Sequence, residues 1–190
     1  RTTDYLDTSV FFPLALYVFT NPEVSIETRR EVLAIIESVQ VRRTLIGLTG
    51  KGYNLITLNL LRAIGSSDED AAKVTRDFFE SSDSARSRWP SDSEIRERLE
   101  KRPIYGWVSR NKLAGMLAEL ERELRKDKRT EEIPLDDRAL SIEHVMPQKW
   151  ETHWPMEEAT PEKEESRNEL VQTIGNLTLV TGSLNSTLSN

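Results

Sequence analysis

LSIEHVMP at 140–147 and TIGNLTLVTGSLN at 173–185 are the two stretches whose reading decides the fold. From Leu140 to Met146 apolar and polar residues alternate and β-branched side chains recur, which predicts a strand. Pro147 has no backbone N–H to give to a ladder and stops it. Thr173 to Thr181 reads as a second strand. Gly182 and Ser183 then turn the chain, and a helix is expected from Leu184. Between the strands, residues 148–170 are polar, acidic and interrupted by proline, so they read as a long loop with at most one helical turn. The tail is therefore strand, long loop, strand, helix.

Working outward, the upstream sequence is of a different kind. After Asn21-Pro22, Val32, Ile35, Ile36 and Val39 recur at i, i+3, i+4 and i+7, one face of a helix. Tyr53 to Ile64 is a dense, Leu-rich run that reads as a buried helix. Ser67 with Asp70, and Ser91 with Glu94, have the spacing of capping boxes that open short helices. Leu113, Met116, Leu117, Leu120 and Leu124 form a second helical stripe, which runs into the charged segment RKDKRTEE at 125–132. The expected fold class is mainly α with a small α+β unit. A helical domain covers 1–139, and a strand-rich unit covers 140–190.

Composition narrows the function. A chain of 190 residues with 37% apolar residues can bury a core. There is no cysteine, which removes disulfide scaffolds, thiolate zinc sites and cysteine nucleophiles. No stretch reaches the roughly 18 apolar residues of a membrane span, so no membrane partner is expected. The opening RTTDYLD has neither an initiator Met nor a signal-peptide pattern, and the chain is read as a piece of a longer, cytoplasmic bacterial protein. The formal net charge of −6 argues against a domain that grips nucleic acid tightly by itself, because phosphate neutralisation drives such binding.

Against that background one constellation carries chemistry. His144 ends the first predicted strand, Asn176 opens the second, and Asn185 sits in the following helix, nine positions on (185 less 176). Strand, loop, strand, helix with these residues resembles the ββα-metal unit of His-Me finger (HNH) nucleases. The resemblance tightens when whole words are read. IEHVMPQ at 142–148 and IGNLTLVTGSLNSTLSN at 174–190 resemble the C-terminal domain of GmrSD-like, modification-dependent restriction endonucleases, including the H-x-x-P element at His144 and Pro147. VRRTLIGLTGKGYN at 41–54 is similar to an Arg-rich helix end of the same family. The family pattern runs past Asn190 to an aromatic residue and a Lys, so the motif is read as truncated at its C-terminus.

The resemblance implies metal-dependent hydrolysis of a DNA phosphodiester within a bacterial anti-phage system. The DNA, of phage or modified, would be selected by an N-terminal sensor domain of the same protein. A single site gives a nick; a homodimer gives a double-strand break. An ordinary imidazole titrates near ~6.5 and is largely neutral at pH 7, so His144 is the expected general base. Asn176 would bond His144 or pin the loop. Mg²⁺ or Mn²⁺ is the expected cofactor, since both take hard oxygen ligands. Asn185 and Glu143 are its expected ligands, Glu143 the less secure because neighbours on a strand face opposite ways.

Plainer roles stand beside these. His144 could be a hydrogen-bonded core residue, Asn176 a turn residue and Asn185 a helix N-cap. Arg42 and Arg43 either hold a substrate phosphate or complement a helix C-terminus. Two other functions fit the same residues: an RNA-cleaving abortive-infection effector, or a catalytically silent interaction domain on the same scaffold. His153 matches no metal-ligand spacing. Trp150 and Trp154 are expected to pack a loop.

Overall fold

The computed structural model describes residue 6 and residues 9–48, 50–126, 140–182 and 184. The protein is mainly helical with one small antiparallel sheet. It divides into two compact units, residues 1–95 and 96–190. No helix among the described residues is long and apolar enough to cross a membrane.

The first unit is helical. α1 (Phe12–Thr20), α2 (Ile26–Leu45), α3 (Tyr53–Gly65) and α4 (Ala71–Glu80) enclose a core of Leu14, Val18, Val32, Ile35, Ile36, Val39, Leu60 and Phe79. The α2 stripe is buried as its spacing predicts. α3 is amphipathic rather than buried all round: Ile56, Leu60 and Ile64 face inward, whereas Leu55 and Leu58 are exposed. α4 starts later than its Ser67 spacing implied. Asp70 is its N-cap, accepting from the Ala72 and Lys73 N–H groups, and Ser67 closes only a local turn to Glu69. The second expected capping box is present. Ser91 Oγ accepts from Glu94 N at 3.3 Å, and Glu94 Oε2 accepts from Ser91 N at 3.0 Å, opening α5 (Asp92–Lys101).

In the second unit α6 (Arg110–Lys126) packs on a strand pair. β1 (Leu140–His144) and β2 (Leu177–Thr181) run antiparallel, with Leu140 opposite Thr181 and His144 opposite Leu177. A two-stranded pair alone is marginal in water. Leu113, Leu117 and Ala118 of α6 and Leu177 and Val180 of β2 supply the burial it needs.

Two expectations about the tail need correction. Residues 148–170 are largely helical: after one turn, α7 (Trp150–His153), comes α8 (Pro161–Val171). Thr160 caps α8 through Lys163 N, Pro161 occupies the first turn where its missing N–H costs nothing, and Glu162 and Glu164 favour the positive end of the dipole. The second strand is also shorter than expected. Ile174–Asn176 form a 3₁₀ turn, and β2 begins only at Leu177. Asn185 and most of the helix expected from Leu184 lie outside the described residues.

Candidate active site

β1 delivers His144 to the end of the sheet, and the chain that follows is fastened there by Asn176. Val145 N donates to Asn176 O at 2.9 Å, extending the ladder one residue past the strand. The Asn176 side chain then clasps the next peptide. Its Oδ1 accepts from Met146 N at 2.7 Å, and its Nδ2 donates to Met146 O at 3.0 Å and Val171 O at 2.9 Å. One amide thus ties the β1 exit, the end of α8 and the start of β2 together. No bond joins Asn176 to His144, so the loop-pinning alternative describes it.

The imidazole, half-buried, is held at both edges. Nε2 lies 3.1 Å from Gln172 Oε1, and Gln148 Nε2 lies 3.4 Å from Nδ1. With Gln172 presenting its oxygen and Gln148 its nitrogen, the setting suits the tautomer that has its proton on Nε2 and a lone pair on Nδ1. The Nδ1 contact is long and comes from an exposed side chain, so an incoming water can displace it. The Tyr105 ring stands edge-on to the imidazole, centroids 4.6 Å apart at 79°. Tyr105 is placed by its backbone: Ile104 N and Tyr105 N both donate to Gln172 O, at 2.8 and 3.1 Å. Gln172 therefore holds the ring with its side chain and the Tyr105 turn with its carbonyl.

Gln148, Gln172 and Tyr105 were not singled out from sequence. Gln148 closes the word IEHVMPQ and Gln172 stands just before the second word, but nothing in their spacing marks a role for either. Tyr105 reaches His144 only through tertiary folding.

Of the other expected residues, Glu143 does not turn toward the His144 face. Glu143 pairs with Thr178 on the adjacent rung, and strand alternation sends it to the opposite face. Among the described residues no group of three or more His, Asp or Glu side chains converges as a metal cluster. Arg42 and Arg43 belong to the other compact unit. Arg42 donates to Pro90 O at 2.9 Å and pairs with Asp92, while Arg43, almost wholly buried, donates to Tyr53 Oη, Ala85 O and Arg88 O. They brace the loop before α5. Trp150 packs, its Nε1 donating to Asn168 Oδ1 at 2.8 Å, but Trp154 is half-exposed. His153 is exposed at the end of α7.

No curated protein and no solved structure matches the chain. The family model for the C-terminal domain of GmrSD restriction endonucleases matches residues 89–190, more than half of it and the part that holds both strands, His144 and Asn176. The chain belongs to the GmrSD restriction endonuclease C-terminal domain family, a family of nucleases.

Proposed function

We propose that the protein is a DNA endonuclease domain of the HNH type, hydrolysing phosphodiesters with His144 as general base. The observation that carries this reading is the state of the imidazole: Nε2 faces an acceptor, Gln172, and Nδ1 has only a weak, exposed contact. A base must have a lone pair within reach of the proton it takes, and its orientation must be fixed before the substrate arrives. Nδ1 of His144 would accept the proton of the attacking water. Gln172 would then stabilise the imidazolium by continuing to accept from Nε2. Asn176 acts one step back, through the Val145–Met146 backbone that sets where the ring stands.

Metal dependence is part of the proposal. A divalent cation, Mg²⁺ or Mn²⁺, would relieve charge on the phosphate and leaving oxygen. Asn185, outside the described residues, is its proposed ligand. We further place the domain in a bacterial anti-phage restriction system, where an N-terminal sensor domain of the same protein selects modified or phage DNA. Pairing of two copies would convert nicks into double-strand breaks.

The test is cleavage of supercoiled plasmid with Mg²⁺, Mn²⁺ or EDTA, beside an RNA of similar length. The proposal expects plasmid nicking that EDTA abolishes. Cutting of RNA but not of plasmid would overturn the DNA assignment, and cutting in EDTA would overturn metal dependence.

A further inference from the structure

The turn that carries Tyr105 to His144 also carries an indole into solvent. Trp107 N and Val108 N both donate to Ile104 O, at 3.1 and 3.0 Å, and Gly106 takes φ +81°, a left-handed conformation that glycine adopts without strain. Trp107 at the tip is 60% exposed, although burying an indole is one of the larger gains open to a fold. It is not loose. The Arg98 guanidinium lies 5.1 Å from its ring centroid and donates to Pro103 O at the base of the turn.

Cations surround this turn without described counter-ions. Arg98 Nη1 is buried and makes no hydrogen bond. Burial first, and then the neighbouring charge of Arg102, lower the Arg98 pKa from its ordinary value. Arg102 has no ion pair among the described residues. Arg110 opens α6, where the helix dipole disfavours a cation and no acidic residue occupies the first turn. Its guanidinium lies 5.5 Å from the centroid of Tyr105, whose other neighbour is His144. The two separations bound the guanidinium-to-imidazole distance at about 10 Å, within one or two phosphate spacings along a strand. Other cations of this acidic chain are held in ion pairs, among them Arg76 with Glu31, Arg88 with Glu94, Lys101 with Glu97 and Arg125 with Glu121. Unpaired arginines beside a pinned, exposed aromatic ring are what a nucleic-acid strand needs for backbone charge and base stacking.

We propose that the 104–108 turn with Arg102 and Arg110 is a strand-binding surface beside His144. The arginines take phosphates, and Trp107 stacks on a base that is unpaired or locally unstacked. This rests on the nuclease reading in taking the ligand to be nucleic acid, but binding is read separately from cutting. In EDTA, anisotropy of labelled oligonucleotides of about 20 nucleotides, single-stranded and duplex, would be followed between roughly 50 and 200 mM salt. Arg102→Ala and Arg110→Ala should each weaken binding about 3- to 10-fold and flatten the salt slope by about one. Trp107→Ala should weaken single-strand binding roughly 10-fold and duplex binding less. Lys163→Ala, which removes the same charge from α8, should change neither. All three variants binding like Lys163→Ala would overturn the proposal, as would a wild-type chain that binds neither oligonucleotide. Failure of the wild-type chain to cut plasmid or RNA with Mg²⁺ or Mn²⁺ would instead sink the nuclease reading and leave the binding result standing.

Discussion

Replacing Asn176 by alanine removes three hydrogen bonds at once and strands their partners. Met146 N, Met146 O and Val171 O each lose a partner within 3.0 Å, in a half-buried loop where water replaces them poorly. At about 1 kcal/mol net for each bond, the loss is roughly 2–4 kcal/mol. For a chain of this size that lowers the melting temperature by about 2–4 °C per kcal/mol, or roughly 4–16 °C in all. Asn176→Asp is the sharper variant. It keeps the acceptor for Met146 N but sets a carboxylate oxygen against two carbonyls, so its loss should equal or exceed that of alanine. Thermal melting followed by far-UV circular dichroism measures both. Cleavage below the melting range should fall about 100-fold, since the peptide that aims His144 is released. If Asn176→Ala melts within about 2 °C of wild type, or Asn176→Asp is as stable as wild type, the clasp does not hold the site.

Three other outcomes follow. Gln172→Leu takes the acceptor from His144 Nε2 and should lower kcat roughly 10- to 100-fold with little change in KM, whereas Gln172→Glu keeps an acceptor there and should retain more activity; equal kcat in Leu and wild type would refute the orienting role. Arg88 first, and then Ser91 N–H, hold Glu94 at about 2, below the ordinary 4.5, so its pairing stabilises the protein above about 4.5 and is lost as pH falls toward 2. Urea titrations across that window should show wild type losing a stability increment that Glu94→Gln never had; parallel curves would contradict the assignment. Gly106→Ala forces a side chain into φ +81° with no contact within 4 Å to compensate, which should cost about 1–2 kcal/mol and weaken strand binding; unchanged stability by chemical denaturation would show that the turn is not strained.

The sequence was most legible where a period had one explanation. Val32, Ile35, Ile36 and Val39 could bury together only as a helix face, and the 140–144 and 177–181 runs could pair only as half-buried strands. Legibility failed where capping outweighed composition: α8 looked like a polar loop because six of its eleven residues are charged, yet Thr160-Pro161 and the early glutamates start a helix regardless. The compact units meet at 95/96 rather than where the pattern changes near 140, because α6, helical in pattern, packs with the strands. At the site, His144 and Asn176 were marked by motif spacing, whereas Gln172 and Tyr105 arrive from separate elements and carry no local signal. Arg42 and Arg43 drew notice as a basic pair, but a buried guanidinium serving three oxygen acceptors looks the same in sequence as one awaiting a phosphate.

The most direct test of the account is single-turnover cleavage of supercoiled plasmid by wild type and by His144→Ala at equal protein and saturating Mg²⁺ or Mn²⁺, with melting curves showing both folded. Loss of a positioned general base predicts a fall of about 100- to 10,000-fold in the cleavage step while plasmid binding persists. Cleavage by His144→Ala at the wild-type rate would place the chemistry elsewhere in the chain.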